Sequence, residues 1–69
     1  MTYPKYYKSP AFQVKIHSEN VSIWVSKERV EVFTNDMQGF IEVRKYPEST
    51  ETEFKKAFNK TSKYLKSLI

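Results

Sequence analysis

The sequence predicts an α+β fold: a four-stranded antiparallel β-meander with one C-terminal amphipathic helix packed on one face (ββββα). Three observations predict it. Apolar and polar side chains alternate in several short runs within residues 11–46, which is the period of half-buried strands. The connections between these runs are about three to five residues long, which suits hairpins and is too short for crossover helices. Residues 50–69 repeat apolar side chains at spacings of three and four, which indicates one helical face.

All 69 residues are expected to form a single small domain. Residues 1–10 are predicted to be an arm or a short extra edge strand, because Pro4 and Pro10 argue against a central strand there. The sheet is predicted over residues 11–46, with strands at 11–17, 21–26, 30–34 and 40–46. The alternation places an aliphatic set on one face of that sheet: Phe12, Val14, Ile16, Val21, Ile23, Val25, Val30, Val32, Ile41 and Val43.

The helix is predicted over residues 50–69. Thr50 and Glu53 have the spacing of a capping box, and Glu51 adds a second carboxylate to the first turn, where it complements the helix dipole. The apolar stripe is expected to cover the aliphatic face, so that Phe58→Ala costs about 3–5 kcal/mol. The contacts expected are those of Phe54, Phe58 and Leu65 with Val14, Ile23, Val32 and Val43.

The opposite face of the predicted sheet is aromatic, where a one-sided antiparallel sheet normally carries polar residues. Its large rings are Trp24, Phe33, Phe40 and Tyr46. Three explanations stay open, because monomers rarely expose large apolar patches. The N-terminal arm, with its three tyrosines, could fold over the rings. Another protein or a second copy could cover them, or the bases of a single-stranded nucleic acid could stack on them.

The nucleic-acid hypothesis draws on the net charge of +4. The candidate phosphate contacts are Lys15, Arg44, Lys55, Lys56, Lys60 and Lys63. The order of four strands and a helix resembles that of the Whirly, Pur-repeat and transcriptional-coactivator families, which are dimeric single-strand binders. None of their motifs occurs in this chain, so the resemblance is one of topology. Glu31 and Glu42 on the same predicted face would repel phosphates.

No catalytic, metal or cofactor site is predicted. The chain has no cysteine, a single histidine (His17) and a single glycine (Gly39), which excludes thiolate chemistry and a glycine-rich phosphate loop. It has no apolar run long enough for a signal peptide or a membrane span, so a cytoplasmic location is expected. The sequence therefore favours a non-enzymatic interaction domain that associates with a protein partner or with itself as a homodimer. Single-stranded nucleic-acid binding is the alternative; no membrane or small-molecule substrate is predicted.

Overall fold

Four antiparallel strands and two helices make up the part of the chain that the computed structural model describes, residues 3–69. The strands are β1 (Lys5–Lys8), β2 (Phe12–Ser18), β3 (Val21–Ser26) and β4 (Val30–Phe33), and they form one sheet in the order β1-β2-β3-β4. The helices are α1 (Gln38–Arg44) and α2 (Glu51–Ser67). The predicted α+β architecture, an antiparallel four-stranded sheet with a C-terminal helix, is confirmed.

The N-terminal segment supplies an edge strand, which was one of the two predicted alternatives. β1 pairs antiparallel with β2, and Tyr7 lies opposite Val14. The outer side of β1 is also covered, because Lys8 N–H donates to the carbonyl oxygen of Pro47 (3.0 Å) and Ser49 N–H donates to that of Tyr6 (2.9 Å). The connection between the two helices therefore closes this edge of the sheet.

The predicted strand at residues 40–46 is wrong, because this segment is helix α1. The carboxylate of Asp36 accepts the N–H of Gln38 (2.9 Å), and the carbonyl of Met37 accepts the N–H of Ile41 (3.1 Å), so a helical turn starts here. A run of seven residues is too short for periodicity to separate a strand from a helix. The predicted sheet range of 11–46 is corrected accordingly: the sheet extends from Lys5 to Phe33.

A β-bulge decides which side chains share a face of the sheet. Ser18 pairs with Val21, but Ile16 pairs with Ser22, so His17 is one residue more on β2 than β3 can match. A bulge of this kind shifts the register by one position, and such a shift moves every later side chain to the other face. The sequence pattern contains no sign of it.

The predicted single aliphatic face is therefore wrong. Without the bulge, Val14 would lie opposite Val25, as one shared aliphatic face requires. With it, Val14 lies opposite Trp24, so the aliphatic residues of β2 and β3 point to opposite faces. Each face of the sheet is then apolar on one central strand, and each needs its own cover.

The two helices supply these covers. On the first face, called the α1 face, Ile41 of α1 is buried together with Val14 and Ile16. On the second, the α2 face, Phe54 of α2 is buried, and its ring centroid lies 5.8 Å from that of Tyr6. Helix α2 packs on β2 and β3. The domain thus has three layers, with the sheet between the helices.

Helix α2 begins as predicted, at an N-cap threonine. The hydroxyl oxygen of Thr50 accepts the N–H of Glu53 (3.1 Å), and the helix ends at Ser67. Further along, the buried Thr61 donates its hydroxyl to the carbonyl oxygen of Ser26, at the β3–β4 turn. This bond anchors the second half of α2 to the sheet. None of the helices between residues 3 and 69 is long and apolar enough to cross a membrane.

Several predicted core contacts are wrong. Phe58 is 38% exposed, and Val32 and Val43 are 59% and 80% exposed. Val43 is exposed because it lies on α1, while Val32 lies on the edge strand, beside the strands on which α2 packs. Phe54, not Phe58, is the ring that α2 buries. Phe58→Ala is therefore expected to lower the free energy of unfolding by less than the roughly 3–5 kcal/mol of a fully buried ring.

Lys45 ends α1 in the left-handed conformation, with φ of 55°. This conformation is strained for any residue with a Cβ atom and is unstrained for glycine. We expect Lys45→Gly to raise the free energy of unfolding by about 0.5–1 kcal/mol, measured by urea denaturation. Lys45→Ala is the matched control, because it removes the charge and keeps the strain. A loss of stability in the glycine variant would contradict the prediction.

Candidate interaction surface

The four predicted aromatic residues meet in one cluster on the α1 face. The ring centroid of Trp24 lies 5.7 Å from that of Phe33 and 5.9 Å from that of Phe40, and Phe40 lies 6.3 Å from Tyr46. Phe12 joins them, at 5.0 Å from Trp24 and 5.4 Å from Tyr46. We call these five residues the aromatic cluster. The alternation in the sequence places Phe12 with the aliphatic residues, so the pattern alone does not identify it as a member of this cluster.

The sheet and helix α1 together bring the cluster into contact. Strands β2, β3 and β4 place Phe12, Trp24 and Phe33 on the α1 face through their cross-strand register. Helix α1 then lays Phe40 against Trp24, and the chain leaving the helix adds Tyr46. The rings meet at tilted or edge-to-face angles between 51° and 88°, the arrangements that aromatic quadrupoles favour.

The indole of Trp24 is fixed by a hydrogen bond as well as by packing. Its Nε1–H donates to Oγ of Ser22 at 2.8 Å, and Ser22 is buried two residues earlier on the same face. The bond satisfies both polar groups. The central ring of the cluster therefore has one defined orientation.

The cluster is only partly covered by α1. Phe40 is 41% exposed, and Trp24, Phe33 and Tyr46 are half-buried. The guanidinium carbon of Arg44 lies 4.9 Å from the centroid of the Phe40 ring, which is cation–π geometry. Rings with a polar or cationic neighbour thus remain accessible along one side of α1.

A carboxylate lies beside these rings. Glu31 is opposite Trp24 on β4 and so shares the α1 face, and its Oε1 is 2.8 Å from Nε of Arg29. With Arg44 on the helix side, the cluster has charges of both signs around it. Such a border of mixed charge around an apolar centre is the usual anatomy of a protein interface.

The structure separates most of the predicted phosphate contacts from the rings. Lys15 lies opposite Tyr6 and Ile23, which places it on the α2 face, away from Trp24. The other lysines are on exposed positions of α2, also on that side: Lys55, Lys56, Lys60 and Lys63. Of the predicted cationic contacts, the structure brings Arg44 to the aromatic cluster.

The N-terminal tyrosines divide between the two faces. Tyr3 and Tyr7 pack against the buried cluster of Val14, Ile16 and Ile41, and the side-chain amide of Gln38 donates to the hydroxyl of Tyr3. Tyr6 points to the α2 face, as its ring contact with α2 shows. The cover that lies on the aromatic rings is thus α1, an element that the sequence pattern presented as a strand.

Charged groups at the start of α2 have shifted pKa values. Lys55 forms an ion pair with Glu51 at 2.7 Å, which lowers the pKa of the Glu51 carboxyl and raises that of Lys55. The pKa of Glu53 is lowered because the hydroxyl of Ser49 donates to it and Lys8 lies nearby. All three groups are exposed on the α2 side and serve the helix start rather than the aromatic cluster.

A groove of about 450 Å³ runs between α2 and the sheet near Phe12, Val25 and Tyr64. Among the residues that the structure describes, those lining it include neither histidine nor a carboxylate. In the same range, 3–69, no three His, Cys, Asp or Glu side chains are grouped so as to hold a metal ion.

Comparison of the chain with models of protein families, with curated proteins and with solved structures found no match.

Proposed function

We propose that this chain is a small, non-enzymatic protein-association domain whose contact surface is the aromatic cluster beside α1. One observation carries the proposal: Trp24, Phe33, Phe40 and Tyr46 pack against one another at tilted or edge-to-face angles and yet stay partly exposed, with Arg44 over one of them. Trp, Tyr, Phe and Arg are enriched in protein interfaces, and Trp, Tyr and Arg are the commonest among the residues that contribute most of the binding energy.

The cluster is suited to binding because its rings are already ordered. Contacts between neighbouring rings and the hydrogen bond from Trp24 to Ser22 restrict their rotamers before any partner arrives. Binding then costs little further side-chain entropy, which is a large part of the cost of association. Aromatic side chains also have few rotatable bonds for the area that they bury.

The charges around the cluster favour a protein partner over a nucleic acid. Glu31 lies on the same face as Trp24 and would repel a phosphate backbone, and the lysines of α2 are on the other side of the sheet. A single-strand platform needs its cations along the path of the backbone beside the stacked bases. Of the residues predicted to contact phosphates, Arg44 is the one that lies beside these rings.

The first test removes the most exposed ring of the cluster. Peptides selected from a random library for binding to this chain are expected to bind Phe40→Ala at least tenfold more weakly, because an interface aromatic contributes 1.4 kcal/mol or more. Val43→Ala is the matched control: it trims a more exposed side chain of the same helix outside the ring contacts, and should leave affinity unchanged. Isothermal calorimetry measures both.

Two outcomes would contradict the proposal. One is a selection that yields no ligand sensitive to Phe40→Ala. The other is saturable quenching of Trp24 emission by a single-stranded oligonucleotide that weakens as salt is raised, since counterion release produces that dependence. The second outcome would indicate that the aromatic cluster binds single-stranded nucleic acid and not a protein.

A further inference from the structure

Within residues 3–69, the sheet has one free edge. The outer side of β1 is covered by residues 47–49, whereas β4 has no strand on its outer side within residues 3–69. The chain that follows β4 leads away from this edge. Gln38, a few residues later, contacts Lys5 and Tyr3, so residues 34–37 cross towards β1.

The hydrogen-bonding phase of β4 shows which main-chain groups point outwards. In the β3–β4 hairpin, Ser26 N–H donates to the carbonyl of Arg29 at 2.9 Å. Bonded and non-bonded positions alternate along an antiparallel ladder, so Glu31 also bonds to β3. Val30 and Val32 occupy the alternate, non-bonded positions, so their N–H and C=O groups point away from the sheet.

This edge lacks several of the features that normally keep sheet edges apart. Its four residues, Val-Glu-Val-Phe, include no proline and no lysine, and its pairing with β3 runs without a bulge. The side chain of Val32 is 59% exposed on the α2 face, because α2 packs on β2 and β3. An apolar side chain and unpaired main-chain groups thus occur at the same position.

We propose that β4 pairs antiparallel with β4 of a second copy of this chain, about a twofold axis at Val32, to form a continuous eight-stranded sheet. This goes beyond the proposed function, since it concerns main-chain pairing at an edge rather than the aromatic cluster. Because the part of each copy that the structure describes has one free edge, the pairing closes at two copies and does not propagate into a fibre.

The self-complementarity of the strand selects the register. Residues paired in an antiparallel sheet lie on the same face, whereas neighbours along a strand point to opposite faces. The twofold axis therefore lies at the level of a residue, either Val32 or a neighbouring residue of β4, and not between two residues. With the axis at Val32, the two Val32 residues form a hydrogen-bonded pair, and Val30 lies opposite Thr34 of the second copy. An axis at Glu31 would instead place two carboxylates opposite each other at the closer, non-bonded position, which is unfavourable.

The same register joins apolar surface on both faces. On the α2 face, the two Val32 side chains meet and extend the row begun by Ile23, which pairs with Val32 in each copy. On the α1 face, Phe33 comes opposite Glu31 of the second copy, so the two aromatic clusters lie side by side. The pairing thus buries the exposed valine and leaves the solvent-facing side of α1 free.

The test compares two substitutions at Val32 by sedimentation equilibrium. Val32→Pro removes the outward N–H and no bond to β3, and proline is tolerated at edge positions of this kind. Val32→Thr keeps the N–H and the β-branched shape. We expect the wild-type chain and Val32→Thr to be dimers, and Val32→Pro to dissociate at least tenfold more readily, with far-UV circular dichroism unchanged.

A measurement on the wild-type chain does not depend on how the proline variant folds. The amide hydrogen of Val32 should exchange slowly at high protein concentration and faster on dilution, since only the dimer gives it an acceptor. Val32→Lys should also weaken dimerisation, because two ammonium groups would lie opposite each other at the axis. The monomer should be unaffected, because its single ammonium group stays exposed.

Three results would overturn the proposal. A chain that stays monomeric up to millimolar concentration is one, and a dimer whose Val32 amide exchanges at the same rate on dilution is another. The third is a dimer that survives Val32→Pro and is lost in Phe40→Ala. That result would assign self-association to the aromatic cluster, and so would leave the proposed function standing while it excludes the β4 pairing.

Discussion

Phe54→Ala is expected to lower the free energy of unfolding by about 3–5 kcal/mol, the range observed when a buried phenylalanine is truncated. Phe54 is 6% exposed, and its ring lies 5.8 Å from that of Tyr6 and 6.3 Å from that of Phe58. The loss is large for a chain of 69 residues, whose total stability is expected to be about 5 kcal/mol. Urea denaturation monitored by circular dichroism measures it.

Phe58→Ala is the matched control for this prediction. It removes the same side chain one helical turn later, at a position that is 38% exposed, and should cost clearly less. An equal or larger loss for Phe58→Ala would mean that α2 is rotated about its axis relative to the arrangement described. The native emission of Trp24 should be unchanged in both variants, because Trp24 lies on the other face of the sheet.

Ile41→Ala is expected to cost about 2–5 kcal/mol. Ile41 is 2% exposed and is the residue through which α1 contacts Val14 and Ile16. Its loss should also loosen α1 and with it the contact of Phe40 with Trp24. We therefore expect the native emission of Trp24 to shift to longer wavelength in this variant, in contrast to Phe54→Ala.

Val43→Ala is the control on the same helix, because Val43 is 80% exposed and its truncation should change stability by less than about 0.5 kcal/mol. The prediction would be wrong if Ile41→Ala left both the stability and the emission of Trp24 unchanged. In the strand that the sequence pattern indicated, Ile41 and Val43 share one face, so the two substitutions would have similar effects. In helix α1 only Ile41 of these two is buried, so a larger effect of Ile41→Ala distinguishes the helix from the strand.

The association proposals add a separate dependence on concentration. If β4 pairs between copies, the apparent stability of the wild-type chain rises with protein concentration, because dimerisation stabilises the folded state by mass action. The unfolding experiments on Phe54 and Ile41 should therefore be compared at one fixed concentration. Val32→Pro provides the reference in which that contribution is reduced.

The sequence alone determined the elements whose signals are local. The hairpins of β2, β3 and β4 follow from alternation and short connections, and α2 follows from its periodic stripe and from Thr50 at its N-cap. Both kinds of signal are set by the geometry of one segment and do not depend on the rest of the fold. Four of the five residues of the aromatic cluster, Trp24, Phe33, Phe40 and Tyr46, could also be singled out, because large rings are unusual on a sheet face that is expected to be solvent-exposed.

Only the tertiary structure decided how these elements face one another. One bulged residue, His17, transfers the aliphatic side chains of β3 to the opposite face, and nothing in the alternation reveals it. Both faces then need apolar cover, and residues 38–44 provide the second cover as a helix, although their spacing fits a strand equally well. Register and burial depend on contacts between distant segments, so the position of Phe12, the exposure of Val32 and the free edge of β4 emerge only when the whole sheet is assembled.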